Sequence, residues 1–294
     1  MPATAVIPVA GRATRLRPLS AAVPKALLPL PGAGGRLRPV IHRILAGAAS
    51  AGIDRAVLVT SPGQPEALRA YLSAAREAGD DDLPEHIECV EQPSPAGLGD
   101  AVLCAADEAD EPVVVLLGDH VPVPEPGRAG PVAQVLAAVG ETGGEMVVGV
   151  REIGPEELPL CGVATGTPLR SEAGDGLYRC TEIVEKPDPA TARERLVAPG
   201  LPAERYLAHA GVYAFSRGVF DCLRECQAEV RPGAELQLTD AERLLLARCP
   251  DACFLRRVQG EVLDTGTPAF YTAAFARLAG FGPRPYDGPN PGGK

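Results

Sequence analysis

Through its first 150 residues the chain alternates short apolar, β-branched runs with longer segments of helical period, and that alternation admits few folds. The runs predict strands at 4–9, 56–60, 87–91, 112–117 and 145–150, with helices over 39–51, 64–78, 99–109 and 130–142 between them. In the first helix Ile41, Ile44, Leu45 and Ala48 share one face, and Gly52 supplies the stop. Strand–helix alternation builds a parallel sheet covered by helices on both faces, because a helix returns the chain for the next parallel strand. Such sheets take their ligands beyond the carboxyl ends of the strands. After residue 150 the rhythm loosens: strands are expected at 161–165, 178–185, 207–215 and 253–258, with helices near 189–197, 217–227, 238–249 and 267–279. The expected fold is α/β, a mixed and mainly parallel sheet flanked by helices, with a β-rich lobe following it. Residues 282–294, dense in Gly and Pro, are expected to be a disordered tail.

The 294 residues carry a formal net charge of −10, the opposite of the basic surface that non-specific nucleic-acid binding needs. No apolar run approaches the roughly 18 residues of a membrane span, and the first ten residues hold no basic stretch, so neither a span nor a signal peptide is expected. Eight cysteines without a C-x-x-C pair, in a chain too large to need disulfide staples, point to reduced thiols and a cytoplasmic location.

The charge is unevenly placed. Residues 1–53 contain Arg12, Arg15, Arg17, Lys25, Arg36, Arg38 and Arg43 and no carboxylate, while the other 241 residues hold 21 basic and 38 acidic side chains. A carboxylate-free basic stretch is either a local anion site or a chance cluster of solvated arginines. The chain has 25 Arg but only three Lys, and besides Lys294 these are Lys25 and Lys186. An ammonium is a compact point charge that suits one crowded phosphate oxygen, so the two internal lysines suggest two phosphate positions.

Four turns follow predicted strands. Pro8-Val-Ala-Gly-Arg-Ala-Thr-Arg15 is a small-residue turn whose backbone N–H groups can approach an anion. Glu91-Gln-Pro-Ser-Pro-Ala-Gly-Leu-Gly-Asp100 is a second. Val113-Val-Val-Leu-Leu-Gly-Asp119 and Val262-Leu-Asp-Thr-Gly-Thr267 each carry a carboxylate at a strand end. Asp119 and Asp264 are either turn caps or the two hard-oxygen ligands of a Mg2+, which takes few protein carboxylates and leaves its other positions to phosphate and water.

In order and spacing these segments resemble the sugar-1-phosphate nucleotidylyltransferases, especially the glucose-1-phosphate uridylyl- and thymidylyltransferases. The resemblance rests on Gly11-Arg-Ala-Thr-Arg-Leu-Arg-Pro18, Pro24-Lys-Ala-Leu-Leu-Pro-Leu30, Gln92-Pro-Ser-Pro-Ala-Gly97, Gly118-Asp119, Glu185-Lys-Pro187, Gly211-Val-Tyr213, Glu235-Leu-Gln-Leu-Thr-Asp240 and Leu263-Asp-Thr-Gly-Thr267, and covers about residues 4–280. It implies a Rossmann-like nucleotide-diphospho-sugar transferase fold in one unit over 1–281: a nucleotide-binding part at 1–150, a sugar-phosphate-binding lobe at 151–260, and a closing metal-binding turn and helix at 261–281. It implies an enzyme that joins a nucleoside triphosphate, UTP first, to a sugar 1-phosphate, glucose 1-phosphate first, with Mg2+ and release of pyrophosphate. Residue by residue, it implies that Ala10, Gly11, Gln92 and Gly97 hold the base, that Arg15 and Lys25 grip the triphosphate, and that Asp119 and Asp264 share Mg2+. It further implies that Gly162, Glu185 and Gly211 line the sugar pocket beside His209, that Lys186 holds the sugar phosphate, and that the enzyme is a homodimer or homotetramer.

Three positions depart from the family pattern. Ala13 replaces a glycine, where a methyl group crowds a phosphate unless the residue sits at negative φ. Ala26 stands where uridylyltransferases carry Glu and thymidylyltransferases Gln. His209 replaces an aliphatic residue and is either hydrogen-bonded within the sheet or a change of sugar preference. Competing readings are a thymidylyl- or guanylyltransferase, a non-catalytic sugar-nucleotide-binding protein, and a glycosyltransferase, which would typically show an Asp-x-Asp pair. The Cys222/Cys226 and Cys249/Cys253 pairs lack a companion His and are expected in the core.

Overall fold

The structure, a computed structural model, describes residues 3–11, 13–32, 36–170 and 176–280. Arg12 and the Gly/Pro-dense tail therefore lie outside the described residues. In chain order, β1 (Thr4–Pro8) leads through α1 (Leu19–Ala22) and a ribbon of β2 (Pro29–Pro31) and β3 (Leu37–Pro39) into α2 (Val40–Ser50). Next come β4 (Arg55–Thr60), α3 (Pro65–Glu77), β5 (His86–Glu91), α4 (Leu98–Leu103), β6 (Val113–Leu116), β7 (His120–Val123), α5 (Pro131–Thr142) and β8 (Met146–Ile153). The second half runs β9 (Gly162–Leu169), β10 (Leu177–Glu185), α6 (Pro189–Arg195), β11 (Tyr206–Phe215), α7 (Gly218–Glu229), α8 (Leu238–Arg248), β12 (Cys253–Arg257), β13 (Glu261–Asp264) and α9 (Pro268–Leu278).

Nine strands form one mixed sheet in the order β5-β4-β1-β6-β11-β8-β12-β10-β9. The first four are mutually parallel, as the strand–helix alternation requires. β11 then runs antiparallel to both β6 and β8. The β-rich portion expected after residue 150 is continuous with this sheet, since β12 pairs with β8 and β10 and β9 extend the sheet beyond it. Side chains alternate as a pleat demands: Ala5 and Ile7 enter the apolar cluster on one face, with α2, and Val6 enters the cluster on the other, with α7 and α8. α4 ends at Leu103, earlier than its pattern suggested, and turns carry the chain on toward β6. The β7–β13 ribbon was not legible, because Pro122 and a length of four residues mask a strand.

All eight cysteines are free thiols, with Cys180, Cys222 and Cys253 buried. Among the described residues no helix is long and apolar enough to cross a membrane.

Candidate functional site

The site grows from the carboxyl ends of β1 and β6. After β6 the chain reaches Gly118, where a Cβ would strike the Pro8 carbonyl oxygen and lie 2.8 Å from a Val9 methyl. Only glycine permits that approach, and it brings Asp119 up beside the turn that follows β1. Asp264 arrives from the far end of the chain because the β7–β13 ribbon sets it opposite His120. The last four residues of the Leu-Asp-Thr-Gly-Thr segment build the turn there. Thr265 donates to the Asp119 carbonyl through its N–H at 2.8 Å and its hydroxyl at 2.9 Å. The Gly266 N–H donates to Asp264 Oδ1 at 2.5 Å. A Cβ on Gly266 would lie 2.8 Å from Asp264 Oδ1, 3.2 Å from Asp119 Oδ2 and 3.4 Å from Lys25 Nζ, so three charged groups converge on one small space. Thr267 caps α9 by accepting from the Phe270 N–H at 3.2 Å.

Lys25 forms an ion pair and hydrogen bond with Asp119 Oδ2, and His120 Nδ1 lies 2.8 Å from Asp119 Oδ1. Burial pushes the Asp119 carboxyl up, but His120 and Lys25 outweigh it and hold the group far below the usual carboxylate range. His120 is held above the ordinary imidazole value, because Asp119 more than offsets burial. Asp119, His120 and Asp264 each present one ligand atom within 4.8 Å of the others. The two carboxylates suit a hard divalent cation such as Mg2+; the imidazole, a softer donor, fits better as the group that orients Asp119.

Among the described residues the basic amino-terminal stretch is not one surface. Arg38 is paired with Asp80 and Asp82, each at 2.6 Å, and Arg36 reaches Asp80 at 3.5 Å. Arg43 donates to the Pro31 carbonyl. Arg15 and Lys25 remain near the β1 turn, Arg15 exposed on the 3-10 turn Thr14–Leu16. Ala10 and Gly11 follow β1 directly, Ala10 being buried. Ala26 is buried in the core that packs against α2.

Ala13 takes the left-handed conformation, φ 44°, so the negative-φ alternative does not apply. Its carbonyl accepts from Leu16 N–H at 2.9 Å and Ser20 Oγ at 2.8 Å, which holds it there. Ala13→Gly is therefore expected to stabilise the fold by about 0.5–1 kcal/mol, the left-handed penalty less glycine's larger unfolded-state entropy. A urea midpoint unchanged or lowered would contradict this.

The second turn packs against the Glu235-Leu-Gln-Leu-Thr-Asp240 segment. Gly99 N–H donates to the Leu236 carbonyl and Leu236 N–H to the Ala96 carbonyl, both at 2.8 Å. Gln92 is 5% exposed, and its amide nitrogen donates to the Gly97 carbonyl at 3.1 Å and to Asp100 Oδ2 at 2.7 Å. That nitrogen is occupied in holding the turn.

One cavity of about 1090 Å³ joins the acidic cluster to the β-rich half, lined by His120 and Asp264 on one side and by Gly162, Glu185, Lys186 and His209 on another. Glu185 Oε2 accepts from the Thr239 hydroxyl at 2.9 Å, and Lys186 Nζ lies 3.4 Å from Glu185 Oε1. Lys186 has φ 47° and donates its N–H to the Cys161 carbonyl at 3.2 Å, a strained turn that aims the side chain. Gly211, φ 74°, makes the irregularity in the β11–β8 ladder between His209 and Tyr213, and a Cβ there would meet the His120 ring at 2.9 Å. Ala10, Gly11, Arg15, Lys25, Gln92, Gly97 and Gly211 do not line this cavity; Asp119 adjoins it through His120.

Sequence reasoning missed His120, Thr239 and Glu242. Glu242 could have been found: it shares the buried face of α8 with Leu238, Ala241 and Leu245, and a carboxylate at a core position of an amphipathic helix is a signal. Burial and the nearby Glu185 push its carboxyl from 4.5 to about 8. Between those values the unfolded chain ionises while the folded one keeps its proton, so stability is lost as pH rises. Glu242→Gln is expected to raise Tm by an amount that grows from pH 5 to pH 8; a gain independent of pH would contradict this.

Among proteins of known family, the nucleotidyl transferase model matches residues 4–279. The chain is 32% identical over 279 residues to the UTP--glucose-1-phosphate uridylyltransferase YngB of Bacillus subtilis (strain 168), covering 89% of this chain and 84% of that one. It is 30% identical over 286 residues to the UTP--glucose-1-phosphate uridylyltransferase of Mycoplasma genitalium, covering 92% and 89%. In fold it is similar to an apo UDP-glucose pyrophosphorylase, with a TM-score of 0.79 at 23% identity over 95% of this chain and 99% of that one.

Proposed function

Since the chain belongs to the nucleotidyl transferase family, we propose that it joins UTP to glucose 1-phosphate, giving UDP-glucose and pyrophosphate. The observation that carries this is a cavity with Asp264 and His120 at one wall and Gly162, Glu185 and Lys186 at another. An acidic cation site and a lysine–glutamate pair facing one space suit the two halves of such a reaction. The names of the relatives favour UTP and glucose 1-phosphate over other pairs.

In this reading residues 1–150 hold the nucleotide, 151–260 the sugar phosphate, and 261–281 close the metal site. A phosphate oxygen of the sugar 1-phosphate is already ionised, so no general base is needed for its in-line attack on the α-phosphorus. Catalysis is then positioning and charge neutralisation. Lys186 holds the attacking phosphate, and Arg15 and Lys25 the triphosphate. Glu185, its Oε2 fixed by Thr239, accepts hydrogen bonds from sugar hydroxyls. The backbone at Ala10 and Gly11, with the turn from Gln92 to Gly97, holds the base. Asp119 and Asp264 would hold Mg2+, which supplies neutralisation of the charge that builds on pyrophosphate. We further propose a homodimer or homotetramer in the cytoplasm, a compartment in keeping with eight free thiols.

The test is pyrophosphate release with Mg2+ across UTP, dTTP, GTP, CTP and ATP, each with a panel of sugar 1-phosphates. Release that requires UTP and glucose 1-phosphate is the expected result. Release with another pair keeps the chemistry and moves the specificity; nucleotide binding without release from any pair overturns the enzyme reading.

A further inference from the structure

We propose that His209 and Glu242 form a hydrogen-bonding floor of the sugar cavity that selects a hexose 1-phosphate by one of its hydroxyls. The proposal rests on the assignment of this cavity to the sugar phosphate, and adds residues and a selection rule to it.

Glu242 is fully buried and His209 is 6% exposed. Both carboxyl oxygens of Glu242 and Nε2 of His209 are buried without a hydrogen-bond partner among the described residues. The two groups face each other at 3.8 Å, too far for a hydrogen bond. Both line the cavity, together with Glu185. A Cβ on Gly162 would lie 2.7 Å from His209 Nδ1 and 3.1 Å from Glu185 Oε2. The glycine therefore keeps a space open with the Glu185 carboxylate on one side and the imidazole on the other.

Unpaired buried polar atoms each cost about 1–3 kcal/mol, and three of them around one cavity are explained if the ligand supplies their partners. A leucine on this face of α8 would pack without that cost. The protonation states fix what the ligand must be. Burial lowers His209 to about 4, and burial and Glu185 raise Glu242 to about 8, so both are neutral at neutral pH. The Tyr213 hydroxyl, 3.5 Å from His209 Nδ1, can donate to that nitrogen and leave the ring proton on Nε2. The floor then offers one N–H, one carboxylic O–H and a carbonyl oxygen, which matches a neutral hydroxyl that both donates and accepts.

The test compares kcat/KM for glucose 1-phosphate and its four monodeoxy analogues, at saturating UTP, in the wild-type enzyme, Glu242→Leu, His209→Leu and Glu242→Gln. The wild type is expected to reject one analogue by about a hundredfold or more, as sites built around a substrate hydroxyl do. Either Leu variant should close that gap to within about tenfold without changing KM for UTP, and Glu242→Gln, which still donates and accepts, should keep most of it. An unchanged gap in either folded Leu variant overturns the proposal; the two are independent, so a folding failure in one leaves the other decisive. If the wild type turns nothing over, the activity reading has failed, and calorimetric titration of UDP-glucose against UDP still tests the floor. A preference for UDP-glucose that Glu242→Leu or His209→Leu abolishes supports it, and no preference in the wild type overturns it.

Discussion

Asp119→Asn should lower kcat by about a hundredfold or more, the usual loss of about 3 kcal/mol when one charged partner of a transition state is removed. Asparagine keeps the shape of the side chain, and Thr265 bonds the backbone carbonyl of residue 119 and not its side chain, so the turn should survive. What changes is charge. Lys25 and His120 both pair with this carboxylate, and without it Lys25 loses its counter-charge while His120 loses the partner that offsets its burial. Lys25→Ala is expected to cost a similar factor, since it removes the other half of the ion pair. Steady-state kinetics beside a thermal melt checks both. A purified variant with an unchanged melt and turnover within a few-fold of wild type would remove that residue from the mechanism.

Gly97→Ala should be the most damaging of the glycine substitutions in the turns. Residue 97 has φ +109°, and a Cβ there would strike the Leu236 carbonyl oxygen and lie 2.8 Å from the Leu236 nitrogen. Backbone cannot swing aside as a side chain can, so conformational strain and overlap add, for a loss of about 3 kcal/mol. Gly63 is the control: its φ is +80°, and its Cβ would meet nothing within 4 Å, so Gly63→Ala should cost about 1 kcal/mol from strain alone. Urea midpoints measure the difference. Equal losses would mean that the contact with Leu236 is not what the turn requires.

These two sites show how much was legible in advance. That Gly97 belonged to a glycine-rich turn between a strand and a helix could be seen in the sequence. That it must be glycine could not, because the obstacle is a carbonyl from the Leu-Gln-Leu-Thr-Asp segment. Asp119 and Asp264 were singled out as strand-end carboxylates, yet their meeting depends on a ribbon too short and too proline-bearing to predict. The basic amino-terminal stretch suggested an anion site of seven charges. In the fold Arg36 and Arg38 spend theirs on Asp80 and Asp82, which charge counting by segment cannot see. His209 stands out of the family pattern in the sequence, whereas Glu242 shows only as a carboxylate on the buried face of α8.

By itself the sequence determined the order along the chain of the strands of the nine-stranded sheet and of the helices after α1, the strand ends at which chemistry-bearing residues stand, and the family to which their spacing points. Those properties are local: burial imposes a period of two or 3.6 on a few neighbouring residues, and turn chemistry is written in adjacent side chains. The tertiary structure alone decided which charges neutralise one another, where glycine is obligatory, and that His209 and Glu242 share one cavity with Glu185. Those depend on distances between residues far apart in the chain, and a pairing energy that falls with separation and changes with burial is undefined until the fold supplies both.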